Sequence, residues 1–104
     1  MKKLHLSLSA EADIQAILTY TLETWGKLQF EKYVQVIENA FNLIEAADHH
    51  PLIRHREDLF PECHSFNAGQ HVIFFRLRHK TIEVIRVLHQ KMDIPSYFNL
   101  EEEE

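Results

Sequence analysis

The chain has 104 residues, which suits one domain and is too short for two, and 45% of them are apolar, so a single core is expected. One cysteine, Cys63, excludes an intrachain disulfide and a cysteine-rich zinc site. Two glycines and three prolines exclude a low-complexity chain, and a formal net charge of -5 argues against a general nucleic-acid binder.

Residues 3–8 alternate, with Leu4, Leu6 and Leu8 on one side and His5 and Ser7 on the other. That period predicts a half-buried strand, and the acids at Glu11 and Asp13 do not belong to a signal peptide. Ser9 is the expected N-cap of a first helix, with Glu11 in its first turn. Ile14, Ile17, Leu18, Thr21, Leu22 and Trp25 follow the helical period, and Gly26 breaks it. A second helix is expected from Lys27 or Leu28, with Phe30, Tyr33, Val34, Ile37, Phe41 and Ile44 as its apolar stripe. It should stop near Pro51, which biases His50 out of the helical region. Glu45 and Asp48 fall where the helix dipole disfavours acids. Helices joined this closely form an antiparallel pair.

Residues 51–62 show no clean period and read as a loop, with a helical turn near Glu57–Phe60. Three strands follow: Cys63–Phe66, His71–Leu77 and Thr81–His89, separated by turns at 67–70 and 78–80. The last two are rich in β-branched and aromatic residues and apolar on both faces, so each face must be covered. After Pro95 an aromatic segment is expected to dock. Residues 101–104, all glutamate, are expected to be a solvated, disordered tail, which leaves 1–100 as one domain. The fold class is therefore α+β: an N-terminal strand, an antiparallel helical hairpin, then a C-terminal antiparallel meander in one twisted sheet. No window reaches transmembrane length, so a cytoplasmic home without membrane contact is expected.

No phosphate loop, HExxH, nucleophile elbow or paired CxxC is present, so neither a cofactor nor a short catalytic motif is expected. His49, His50 and the 54–57 stretch lack the spacing of a metal site. Cys63, at the start of a strand, reads as a buried structural thiol. Arg76 should lie opposite Glu83 as a cross-strand ion pair. Arg86 is expected to share a face with Ile82, Val84 and Leu88. It is either a structural arginine held by a carboxylate or carbonyls, or an anion or partner contact. Trp25, Phe30, Tyr33 and Phe41 read as core, and Tyr20 as a contact residue off the main stripe. Residues 51–95 hold seven Lys or Arg against five acids and five of the eight histidines, so the second half is mildly basic.

The stretch LSAEADIQAILTYTLETWGKLQFEKYV resembles the ParE toxin family, in which a short strand leads into Ala and Asp on the first helix, then Tyr, then WG. GQHVIFFRL and IEVIRVLHQKMD are similar to that family's C-terminal signature, with RVLH and MD at 86–93 its specific part. Arg86, Leu88, His89, Met92 and Asp93 match it, as do His71, Ile73 and Arg76. The chain departs from the family at His64, where arginine is frequent, and in the acidic Glu57 and Asp58 of its loop.

The resemblance implies the RelE/ParE-like fold and a non-enzymatic toxin of a type II toxin–antitoxin system. It implies a cognate ParD-like antitoxin and DNA gyrase as partners, no independent nucleic-acid binding, and room for a homodimer. Candidate target contacts are Arg78, Arg86, His89, Lys91, Met92 and Asp93. Candidate antitoxin contacts are Tyr20, Trp25, Arg54, Arg56, Arg76, Tyr97 and Phe98. The alternatives are a RelE-type ribosome-dependent mRNA endonuclease using His64, Arg76, Arg86, His89 and Tyr97, and a non-toxic antitoxin-binding module.

Overall fold

The computed structural model describes residues 2–46 and 50–98. The expected tail at 101–104, and with it the expected disorder there, lies outside the described residues, as do Asp48 and His49. Strand β1 (Lys3–Leu6) gives way to helix α1 (Leu8–Trp25) earlier than the alternation suggests. Ser7, not Ser9, is the N-cap. Its extended backbone presents Oγ to the Ala10 N–H at 2.9 Å. The cause is tertiary, because Ser7 also donates from its N–H to the Val84 carbonyl (2.9 Å) and from Oγ to the Ile85 carbonyl (2.8 Å). Leu8, expected to be on the strand's apolar side, is 83% exposed on the helix.

Gly26 ends α1 with φ +92°, donating its N–H to the Leu22 carbonyl, and α2 (Lys27–Ala46) starts at once. Ile37, Ala40 and Ile44 form its buried stripe. Glu45, misplaced for the helix dipole, accepts a hydrogen bond from the Leu4 N–H at 3.1 Å and so ties the end of α2 to β1.

Four more strands follow: β2 (Arg54–His55), β3 (Cys63–Ala68), β4 (His71–Leu77) and β5 (Thr81–His89). They make one sheet of order β1-β5-β4-β3-β2, antiparallel except that β1 runs parallel to β5. β2 corrects the expected loop. Two residues carry no readable alternation, and only pairing with β3 makes them a strand. The turn expected near Glu57–Phe60 is present, closed by Leu59 N–H to the Arg56 carbonyl at 3.0 Å. A short 3-10 helix, Ile94–Phe98, ends the described chain. No described helix is long and apolar enough to cross a membrane.

Both sheet faces are covered, which explains why β4 and β5 are apolar on two sides. Ile73, Phe75, Ile82, Val84 and Val87 pack under the helical hairpin with Ala10, Ala40 and Ile44. Val72, Phe74 and Leu88 pack on the other face with Phe60, Cys63 and Phe98, supplied by the loop and the 3-10 helix. Phe74 and Phe75 are 0% exposed, and burying each contributes about 2–3 kcal/mol. Between them the register slips: Phe74 faces Arg86 and Phe75 faces Val84. This bulge adds one residue to β5 and reverses its alternation. Ile82 and Val84 therefore belong to the helix side, while Arg86 and Leu88 belong to the opposite side, correcting the single face expected for all four.

Candidate functional site

A cleft of about 720 Å³ opens between the hairpin and the β3–β4 turn, walled by Tyr20 and Trp25 of α1, Tyr33 of α2, and Gly69, His71 and His89. Gly69 makes the close approach. It leads a two-residue turn with φ +61°, and a Cβ there would lie 2.8 Å from the Tyr33 ring. The Tyr33 hydroxyl accepts from the Gln70 N–H at 3.0 Å, donates to the Ala68 carbonyl at 3.2 Å, and is hydrogen-bonded to His71 Nδ1. Burial pushes the Tyr33 phenol up, against the lowering effect of its backbone hydrogen bonds. Burial, and then the neighbouring His89, hold the His71 imidazole below its ordinary value. The two imidazole centroids stand 5.1 Å apart as register partners on β4 and β5.

Tyr20 and Trp25 are 63% and 68% exposed. For Trp25 this overturns its expected place in the core. It is the last residue of α1 and stands at the wall of the cleft instead of under the hairpin. Phe30, Tyr33 and Phe41 are partly buried. A second apolar groove, of about 450 Å³, follows the other flank of α1 past Leu6, Ile14, Leu18, Leu22 and Phe30.

The arginines gather on the opposite face and are matched by carboxylates. Asp13 takes the Arg86 guanidinium at 2.7 and 2.8 Å and also accepts the Val87 N–H at 2.9 Å, sealing the edge of β5 beyond the end of β1. The Asp13 hydrogen bond raises the Arg86 pKa further, and the guanidinium lies 5.4 Å from the Tyr97 ring. Of the two sequence readings of Arg86, the carboxylate-held structural one describes this geometry.

Arg76 does face Glu83, at 3.9 Å, and lies 5.1 Å over the Phe60 ring. Its buried Nε has no hydrogen-bond partner among the described residues. Arg78 meets Glu62 at 3.1 Å and Glu83 at 3.5 Å, and Arg56 meets Asp58 at 3.0 Å. Arg54 is exposed on β2. Lys91, Met92 and Asp93 are exposed on the turn after β5, whereas Phe98 is buried among Phe60 and Phe74. Cys63 is fully buried, and burial pushes its thiol up to about 12, in keeping with a structural role.

The five residues weighed for RNA cleavage do not converge. His64 stacks on Phe75 and His89 pairs with His71, on the helix-covered face. Arg76, Arg86 and Tyr97 lie on the other. No local pattern signals that Tyr33 holds His71 or that Asp13 holds Arg86. Both pairs are far apart in the chain and meet only through the sheet.

Residues 4–94 match a family model described as ParE toxin of type II toxin-antitoxin system, parDE. Toxin ParE1 of Mycobacterium tuberculosis is 36% identical over 91 residues, covering 86% of this chain and 90% of the relative. Toxin ParE1 of Caulobacter vibrioides is 34% identical over 93 residues, covering 89% and 94%. The fold is similar to that in a structure titled chromosomal ParDE TA system from P. aeruginosa, with TM-score 0.71, 21% identity, and 86% and 96% of the chains covered. It is also similar to YafQ from E. coli, with TM-score 0.60, 9% identity, and 86% and 94% covered.

Proposed function

We propose a toxin's role for this chain, from the premise that it belongs to the ParE toxin family of type II toxin–antitoxin systems. It is silenced by a cognate ParD-like antitoxin, whose helix enters the cleft at the hairpin tip. The observation that carries this is the pair Tyr20 and Trp25, large aromatics left 63% and 68% exposed beside a cavity of helix-binding size. Exposed aromatics flanking an apolar groove are the anchors by which a protein holds an amphipathic helix.

The target we infer is DNA gyrase, engaged by binding. The family resemblance supports it, and so does the chemistry of the arginines. Cleaving RNA needs cations free to meet a phosphate beside acid–base groups. Here Arg86, Arg78 and Arg56 already hold carboxylates, and the histidines stand across the sheet from them. The remaining target contacts we assign are the exposed Lys91, Met92 and Asp93 beside His89.

A single experiment separates the readings. Purified chain, free of antitoxin, is titrated into DNA gyrase supercoiling and cleavage assays, and in parallel into translating ribosomes with reporter mRNA. Accumulated cleaved DNA is the expected result. Intact gyrase activity with cut mRNA would replace this reading by the endonuclease one, and no effect in either assay would leave only an antitoxin-binding module.

A further inference from the structure

We propose that His55 and His64 form a surface site for one divalent transition-metal ion of the imidazole-preferring kind, Zn²⁺, Ni²⁺ or Cu²⁺. The two are register partners on β2 and β3. The neighbouring pair is hydrogen-bonded, Arg56 donating its N–H to the Cys63 carbonyl at 2.8 Å. Antiparallel ladders alternate, so His55 and His64 occupy a non-hydrogen-bonded pair, where facing side chains approach most closely. Their ring centroids stand 4.9 Å apart.

His64 is set up as a ligand. Its Nδ1 lies 3.0 Å from the Glu62 carbonyl, which can only accept, so the neutral ring carries its proton there and bares Nε2. Metal-bound histidines are oriented in this way, one nitrogen donating to a carbonyl while the other coordinates. Glu62 holds that carbonyl from a left-handed backbone, φ +65°, rare for a residue other than glycine. Stacking on Phe75, at 5.8 Å and 23°, fixes the ring from its other side. His55 is exposed and its ring makes no hydrogen bond among the described residues, so either nitrogen can turn to the ion.

The chain contains its own contrast. His71 and His89 are also cross-strand partners at 5.1 Å. There, however, His89 accepts from the Lys91 N–H through Nδ1, which leaves the proton of the neutral ring on Nε2, so that ring bares no nitrogen to an ion shared with His71. No group of three or more His, Cys, Asp or Glu suited to a metal occurs among the described residues. Water would complete the shell at His55 and His64, and softer, imidazole-binding cations are favoured over Mg²⁺ or Ca²⁺. A bound ion would clip the two-residue strand β2 to the sheet.

The test is isothermal titration of the untagged, full chain with ZnCl₂ and NiCl₂, and with MgCl₂ for comparison. Uptake of one Zn²⁺ or Ni²⁺ per chain and no Mg²⁺ is expected. His55→Gln and His64→Gln should each weaken binding by roughly ten-fold or more, while His79→Gln, on the exposed β4–β5 turn, should leave it unchanged. His55→Gln alters only an exposed edge side chain, so a folding defect cannot mimic its effect, and circular dichroism checks the His64 variant. Absent Zn²⁺ and Ni²⁺ uptake, undiminished binding in His55→Gln, or equal loss in His79→Gln would overturn the site.

Discussion

At Asp13 one carboxylate accepts three hydrogen bonds, two from the Arg86 guanidinium and one from the Val87 N–H on the open edge of β5. The side chains are 13% and 25% exposed, so solvent screens the pair only in part. Asp13→Asn keeps the shape and removes the charge. We expect a loss of about 1–3 kcal/mol in urea unfolding, and an unchanged midpoint would show the pair to be idle. His71 gives a second prediction at this scale. Its imidazole is held below the ordinary 6.5 in the folded chain. As pH falls through that value, the unfolded chain takes up the proton first. The His71 contribution to stability is therefore full above about pH 6.5, declines as pH drops below it, and levels off past the folded value. In thermal unfolding between pH 7.5 and 5, His71→Gln should flatten this part of the slope, and an equal slope in both proteins would rule it out.

Among the elements, the two glycines separate local from tertiary constraint. Both have positive φ, but a Cβ at Gly26 meets nothing within 4 Å, whereas one at Gly69 would collide with the Tyr33 ring. Gly26→Ala should cost about 1–2 kcal/mol, the backbone penalty alone, since φ +92° with ψ 176° is a conformation kept for glycine. Gly69→Ala should cost clearly more, about 2–3 kcal/mol, because the Tyr33 hydroxyl must give up its bonds to the Gln70 N–H and the Ala68 carbonyl. Equal midpoints in guanidinium unfolding would contradict this. Long periodic elements were legible: both helices, and β4 and β5 with the bounds read from the sequence. β2 was not, since two residues hold no period. The N-cap was misplaced from Ser7 to Ser9 because two serines fit the same local rule and only the carbonyl of Ile85 chooses between them.

For the whole molecule, the hairpin lies on one face of a mixed sheet and leaves apolar residues near its tip uncovered. Trp25, Leu22 and Leu28 are left 68%, 44% and 68% exposed there. Such a cluster adds little to the fold of the free chain, and in the proposed complex it supplies the antitoxin's anchors. Trp25→Ala and Tyr20→Ala should shift unfolding free energy by no more than about 0.5 kcal/mol. Each should weaken capture of the antitoxin by ten-fold or more, the scale of about 2 kcal/mol for an aromatic anchor. Titration calorimetry with the cognate antitoxin measures it, and unaltered affinity in both variants would move the antitoxin site away from this cleft.

The amino-acid order by itself determined the fold class and the long elements, though not the strand order, because helical and strand periods are local and survive without knowledge of neighbours. It also determined the opposition of Arg76 to Glu83, since a turn at His79 and Lys80 fixes the register beside it. Tertiary structure alone decided which side each residue of β5 faces, because one bulge at Ile85 reverses an alternation that the sequence continues unbroken. It decided that Trp25 stands in solvent, because how the hairpin packs on the sheet sets which of its apolar residues are covered. It decided too that Arg86 belongs to Asp13 and His64 to His55, pairings set by strand order and register across distances that no local pattern encodes.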